Sequence, residues 1–135
     1  MKQSFEEFID LINKSTEGDP WVRDRKLEGY CQSVANEVQE LLQAIEKKDY
    51  ENAKEELGDV LMDWAHACKL AEERGLFTLK DVLEGINAKI KRRKPYILEG
   101  QKRTVTKEEA VEIWKKVKVL EKEEKAKRMN QQNSL

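Results

Sequence analysis

No stretch of this sequence alternates apolar and polar residues as a half-buried strand does, so a sheet is not expected. Only two prolines occur, Pro20 and Pro95, and both fall at the edges of the apolar periodicity, where they punctuate helices rather than break them. None of the six glycines belongs to a Gly-rich phosphate loop. The two cysteines, Cys31 and Cys68, form neither a C-x-x-C pair nor a disulfide framework, and both are read as buried, reduced thiols on helix faces. The single histidine, His66, has no second His or Cys to support a zinc site or a catalytic role, and is read as a structural, surface or semi-buried residue. With 26 basic and 27 acidic residues the net charge is -1, so no global field draws the chain to nucleic acid or to an anionic membrane. No apolar run approaches the ~20 residues of a membrane span, and the start MKQSFEEFIDLI lacks a signal-peptide layout, so a cytoplasmic protein is expected.

What is present is helical periodicity in a chain of 135 residues, the size of one domain. A first helix over residues 4–14 would start with Ser4 as N-cap and Glu7 three positions on, followed by a loop over residues 15–24. Residues 27–47 carry Leu27, Tyr30, Cys31, Val34, Val38, Leu41, Leu42 and Ile45 on one stripe, which is expected to be buried. A third helix over residues 50–74 stops at Gly75, and the tight connection makes it the antiparallel neighbour of the second. The fourth opens at Thr78 with Asp81 as capping partner and ends at Pro95, a loop with Gly100 follows, and Thr106 begins a closing helix. The reading is an all-α, four- to five-helix antiparallel bundle over residues 1–125, with residues 126–135 as a polar, frayed tail.

The core does not account for two acidic pairs. Glu37 and Glu40 on the second helix, and Glu56 and Asp59 on the third, are each spaced i, i+3, so each pair projects from one surface flanking the core. One such pair means little in a chain so rich in acids. Two pairs on adjacent antiparallel helices can offer several oxygens to one hard cation, which favours Mg²⁺ or Mn²⁺ over zinc. Lys89, Lys91, Arg92, Arg93 and Lys94 complement the fourth helix's dipole, but Lys89 and Arg93 also share a face and can clamp phosphate oxygens. Carboxylates for a metal and cations for phosphate suit phosphoryl chemistry. Trp64 and Trp114 sit on apolar stripes and are read as core, which leaves Trp21 and Tyr96, in loops, as candidate contacts to a base.

In these residues the chain resembles the MazG family of nucleoside triphosphate pyrophosphohydrolases. The family's E-E-x-x-E and E-x-x-D are answered by NEVQE and EELGD, and its N-x-K-x-x-R-R-x-P by NAKIKRRKP from Asn87 to Pro95. DPWVRD resembles the entrance motif C-P-W-D, and the segment around Trp114 the closing W-x-x-x-K-x-x-E-K helix. The resemblance implies that Glu37, Glu40, Glu56 and Asp59 hold Mg²⁺, that Lys89 and Arg93, with Arg92 beside them, face the triphosphate, and that the protein is a homodimer or homotetramer. It also implies cleavage to a nucleoside monophosphate and pyrophosphate, with Glu37 or Glu40 as general base, and a house-cleaning role toward non-canonical nucleotides. Three positions depart from the pattern: Asn36 replaces the first Glu of the doublet, Val22 replaces the entrance Asp, and Asp63 adds an acid one turn beyond Asp59. Narrower dUTP, dCTP or phosphoribosyl-ATP pyrophosphatases of similar build are the nearest rivals, and a non-catalytic helical interaction module is the alternative of another class. Glu72, near the end of the third helix, is expected to be functionally silent beside Glu56.

Overall fold

The computed structural model describes residues 1–98 and 104–134, and among them the only regular elements are helices, as the periodicity predicts. They are α1 (Lys2–Gly18), α2 (Pro20–Asp24), α3 (Leu27–Glu46), α4 (Tyr50–Glu73), α5 (Leu79–Arg93), a 3-10 turn (Pro95–Ile97) and α6 (Lys107–Asn133). Part of the expected loop around Gly100 lies outside the described residues.

α1 runs past the expected end at residue 14 because Ser15 and Thr16 turn their hydroxyls back onto the Ile12 carbonyl, at 2.9 and 2.8 Å, instead of breaking the helix. Its N-cap is Met1, without side-chain help, so Ser4 does not start it. The segment expected as a loop instead holds α2, where Asp19 accepts from the Trp21 N–H at 2.9 Å and Pro20 takes the first helical position, for which its fixed φ suits it.

α3 and α4 form the tight antiparallel hairpin. Lys48 turns the chain with φ +57°, and Asp49 caps α4 by accepting from the Asn52 N–H at 3.2 Å. Gly75, at φ +69°, takes the left-handed position after α4 that a side chain would resist. Thr78 and Asp81 form a reciprocal pair, at 3.0 and 2.8 Å, at the start of α5. Thr106 and Glu109 form the same capping box for α6. α6 continues as helix to Asn133, through the segment expected as a polar tail, where Ala126, Lys127, Arg128, Met129 and Gln131 are good helix formers.

The chain divides into two compact units, Met1–Val82 and Leu83–Leu135. In the first, α3 packs along α4, and α1 packs on α4 and on α2. Val22, Tyr30 and Leu70 form the buried cluster, with Leu27 and Ala67 against it. Val22, the departure from the entrance motif, is thus a core residue. The long stripe on α3 is covered along one edge only: Tyr30 is buried and Val34 and Leu41 are half-buried, whereas Cys31, Val38, Leu42 and Ile45 are exposed. The stripe is wider than one antiparallel helix can cover. Leu57 and Leu61 on α4 are exposed as well. Cys31 is therefore a surface thiol, while Cys68 is buried as expected.

Candidate metal centre

The α3–α4 hairpin brings three of the four expected acids together. Glu37, Glu56 and Asp59 each offer a carboxylate oxygen, and the three oxygens lie within 4.8 Å of one another. All three residues are half-buried at the seam between the helices. The spacing follows from local geometry: Glu56 and Asp59 are one turn apart on α4, and the short connection through Lys47–Asp49 sets Glu37 opposite them. Glu40 is exposed, one turn further along α3, and its carboxylate is within hydrogen-bonding reach of Glu37 rather than part of the triad.

Crowding of like charges shows in the protonation of the site. Partial burial, hydrogen bonding with Glu40 and Glu56, and the charges of Glu40 and Asp59 push the Glu37 carboxyl up to about 7. A cluster this repulsive is relieved by a proton or by a cation. Oxygens on opposite sides of one hard divalent ion lie about 4–5 Å apart, so small rotamer adjustments at half-exposed side chains would close these three onto it. An all-carboxylate donor set fits Mg²⁺ or Mn²⁺ and gives zinc none of its preferred ligands.

Asp63, the additional acid, is 7% exposed and belongs to a different network. Burial raises its pKa, while the charges of Arg25 and His66 oppose that rise and Asp59 adds to it. His66 is itself buried, against the semi-buried or surface position expected for it, with Nε2 2.7 Å from Ser15 Oγ and its ring 5.4 Å from that of Tyr30. The single Ser15 hydroxyl proton is used on the Ile12 carbonyl, so the histidine donates from Nε2. Burial lowers the His66 pKa, with Asp63 opposing. Arg25 sits 4.1 Å above the Tyr30 ring and donates to the Gly29 carbonyl at 3.0 Å and Ser33 Oγ at 2.7 Å. Nothing in the sequence singled out Ser15, whose pairing with His66 across 51 residues leaves no local pattern, or Arg25, whose charge acts on Asp63 from a distant part of the chain. Asn36, the other departure, is exposed and accepts from the Gln32 amide at 3.0 Å, on the solvent side of α3.

Glu72, expected to be functionally silent, has a structural role. It pairs with Lys69 at 3.0 Å and accepts from the Leu79 N–H at 3.2 Å, which ties the end of α4 to the start of α5; these contacts, the Lys69 bond first, lower its pKa.

In the second unit, Arg92 and Arg93 both clasp Glu121 of α6. Arg92 donates from Nε at 3.1 Å and Nη2 at 2.9 Å to one carboxylate oxygen, and Arg93 donates from Nη2 at 2.8 Å to the other. Arg93, then Arg92, hold the Glu121 carboxyl down to about 2. Lys89 is half-buried on the same helix, and Tyr96 is half-buried in the 3-10 turn. Trp114 is 39% exposed, with Lys118 Nζ 4.4 Å from its ring centroid, so it is not the core residue expected. Trp21, on α2 of the first unit, is 76% exposed. Among the described residues, no helix is long and apolar enough to cross a membrane.

A nucleoside triphosphate pyrophosphohydrolase/pyrophosphatase MazG of Thermotoga maritima is 39% identical over 95 residues, which cover 69% of this chain and 37% of that protein. The nucleoside triphosphate pyrophosphohydrolase of Escherichia coli K12 is 28% identical over 109 residues, 81% of this chain and 41% of that protein. This chain thus spans about two fifths of the length of these curated relatives. The crystal structure of a MazG-related protein from Thermotoga maritima superposes with a TM-score of 0.77 at 28% identity, covering 84% of this chain and 97% of that one. Residues 25–98 match the MazG nucleotide pyrophosphohydrolase domain, a span that contains both acidic pairs and the basic end of α5, and the chain belongs to that family.

Proposed function

We propose that this protein hydrolyses nucleoside triphosphates, ribo- or deoxyribo-, to the monophosphate and pyrophosphate with Mg²⁺, or Mn²⁺ in its place. The observation that carries the reading is the convergence of Glu37, Glu56 and Asp59 within 4.8 Å, in a chain of the MazG domain family. Glu37, Glu56 and Asp59 would hold the cation, with Glu40 joining from its exposed position. Bound there, the ion would neutralise phosphate charge and lower the pKa of a water for attack at the α-phosphorus. Glu37 or Glu40 would take that water's proton. Lys89, Arg92 and Arg93 bind the phosphate chain and stabilise the leaving pyrophosphate, while Trp21 and Tyr96 offer aromatic surface to the base.

The uncovered stripe of Val38, Leu42, Ile45, Leu57 and Leu61 supports a homodimer or homotetramer, because an apolar face on a paired hairpin is normally buried by a partner. A cytoplasmic house-cleaning role toward non-canonical nucleotides completes the reading. The narrower dUTP, dCTP and phosphoribosyl-ATP activities are the rivals that differ only in substrate. The test is a panel of canonical and modified nucleotides with Mg²⁺, with products followed by phosphorus NMR. Monophosphate and pyrophosphate are expected; release of diphosphate and inorganic phosphate would place the cut at the wrong bond and overturn the proposal.

A further inference from the structure

The second unit contains a groove of about 570 Å³ between α5 and α6, a size typical of small-molecule sites. Its walls carry six cations, Lys89, Arg92 and Arg93 from α5 and Lys125, Lys127 and Arg128 from α6, against two carboxylates, Glu121 and Glu124. In a chain whose net charge is -1, four positive charges are left over at one place. The carboxylates do not quench them. Glu121 is shared by Arg92 and Arg93, each of which engages it through Nε and Nη2, so the Nη1 donors of both guanidinium forks stay uncommitted to it. Among the described residues, Lys89, Lys125, Lys127 and Arg128 form no ion pair.

The α6 half of this cation set lies outside the span that matches the family domain, which ends at residue 98. It was also hidden in the sequence, where residues beyond Lys122 look like a solvated tail. Its geometry is nonetheless regular. Glu121, Lys125 and Arg128 are spaced i, i+4 and i+7, so they share one face of α6, as Lys89 and Arg93 share one face of α5. The two sets of cations span only about 6 Å of α5 and about 4.5 Å of α6, at 1.5 Å per residue. That is the scale of two or three linked phosphoryl groups and too short a track for a nucleic-acid backbone. A triphosphate chain at neutral pH carries about four negative charges, the complement of the surplus here.

We infer that the α5–α6 groove is a polyphosphate site and that Lys125 and Arg128 of α6 are phosphate-binding residues acting with Lys89, Arg92 and Arg93. The inference rests on the proposed function for the ligand and for the part of the site on α5, and adds the α6 residues. The anion is either the triphosphate tail of a nucleotide or the pyrophosphate it releases, since both present linked phosphoryl groups to the same donors.

The experiment compares Lys125→Ala/Arg128→Ala with Lys115→Ala/Lys116→Ala, a control that removes two positive charges from exposed positions of the same helix away from the groove. Circular dichroism verifies that both remain helical. Binding of tripolyphosphate, pyrophosphate and a nucleoside monophosphate is then measured by calorimetry in chelator, so that the carboxylate centre and its metal do not contribute. The groove variant is expected to bind tripolyphosphate at least tenfold more weakly than wild type, the control within twofold of it. A loss for tripolyphosphate with pyrophosphate spared assigns the groove to the nucleotide's tail, and an equal loss for both assigns it to the released anion as well. Equal affinity in the two variants overturns the site, as does an equal loss for the monophosphate, which lacks linked phosphoryls. Hydrolysis is assayed separately. Tripolyphosphate binding without turnover of any nucleotide would remove the proposed function and leave the groove, whereas turnover with binding equal in both variants would do the reverse.

Discussion

Replacing Glu37 by glutamine should make the metal-free protein more stable, and only above acidic pH. The folded Glu37 carboxyl is raised from 4.5 to about 7 by partial burial and by the carboxylates of Glu40, Glu56 and Asp59. A group whose folded pKa lies above its unfolded value favours folding while it is protonated. The cost of ionising it is absent below about pH 4.5, grows as the pH rises toward 7, and is constant beyond. At 1.36 kcal/mol per tenfold change the full shift corresponds to roughly 3 kcal/mol, and solvent screening at a half-exposed side chain reduces this to about 1–2 kcal/mol. Glutamine keeps the shape and the hydrogen bonding of the protonated acid without the charge. Thermal melts in chelator should therefore place Glu37→Gln some 3–8 °C above wild type near pH 8, and level with it below about pH 4.5. Mg²⁺ should raise the wild type and close the gap, because the ion takes the place of the proton, and should do little for the variant. A variant that melts lower near pH 8, or a gap that ignores pH, would mean that the three acids are a solvated surface and not a strained cation site.

Glu56→Ala and Glu55→Ala, adjacent on α4, should each cost below ~1 kcal/mol of stability, but only the first should lower turnover by orders of magnitude at saturating Mg²⁺; equal kcat in the two would refute the ligand assignment. Glu72 cannot serve as the silent partner in that comparison, since it holds the start of α5. A Leu42→Lys/Leu61→Lys variant should sediment as a smaller species than wild type, and an unchanged sedimentation coefficient would locate any self-association elsewhere. His66 has a folded pKa below the ordinary imidazole value of 6.5, so stability should fall as the pH drops through and below 6.5, where the unfolded chain takes up a proton that the folded one resists. His66→Gln should flatten that part of the stability profile, and an identical profile would remove His66 as its source. Glu121, held to about 2, should stay ionised and paired until the pH falls well below the usual carboxylate range; a carboxyl NMR titration with a midpoint near 4.5 would show the clasp is not formed in solution.

The sequence by itself determined the long helices and the acidic pairs that two of them carry. Caps such as Thr78 with Asp81 and Thr106 with Glu109, the stop at Gly75 and the i, i+3 acids are local patterns that survive whatever surrounds them. The short connection at Lys47–Asp49 even made the convergence of Glu37 with Glu56 and Asp59 legible, because two antiparallel helices joined by so few residues must be neighbours. Only the tertiary structure decided which apolar positions are covered. Val38 and Leu42 lie on the same stripe as Tyr30, and Trp114 on that of the closing helix, and yet all three stay exposed, since burial depends on whether a second element arrives at that face. It also decided the fates of Asp63 and Glu121, whose partners Arg25, Arg92 and Arg93 are close in space and far along the chain. Charge and spacing announce that a residue can bind something. What it binds is set by packing, which no local pattern encodes.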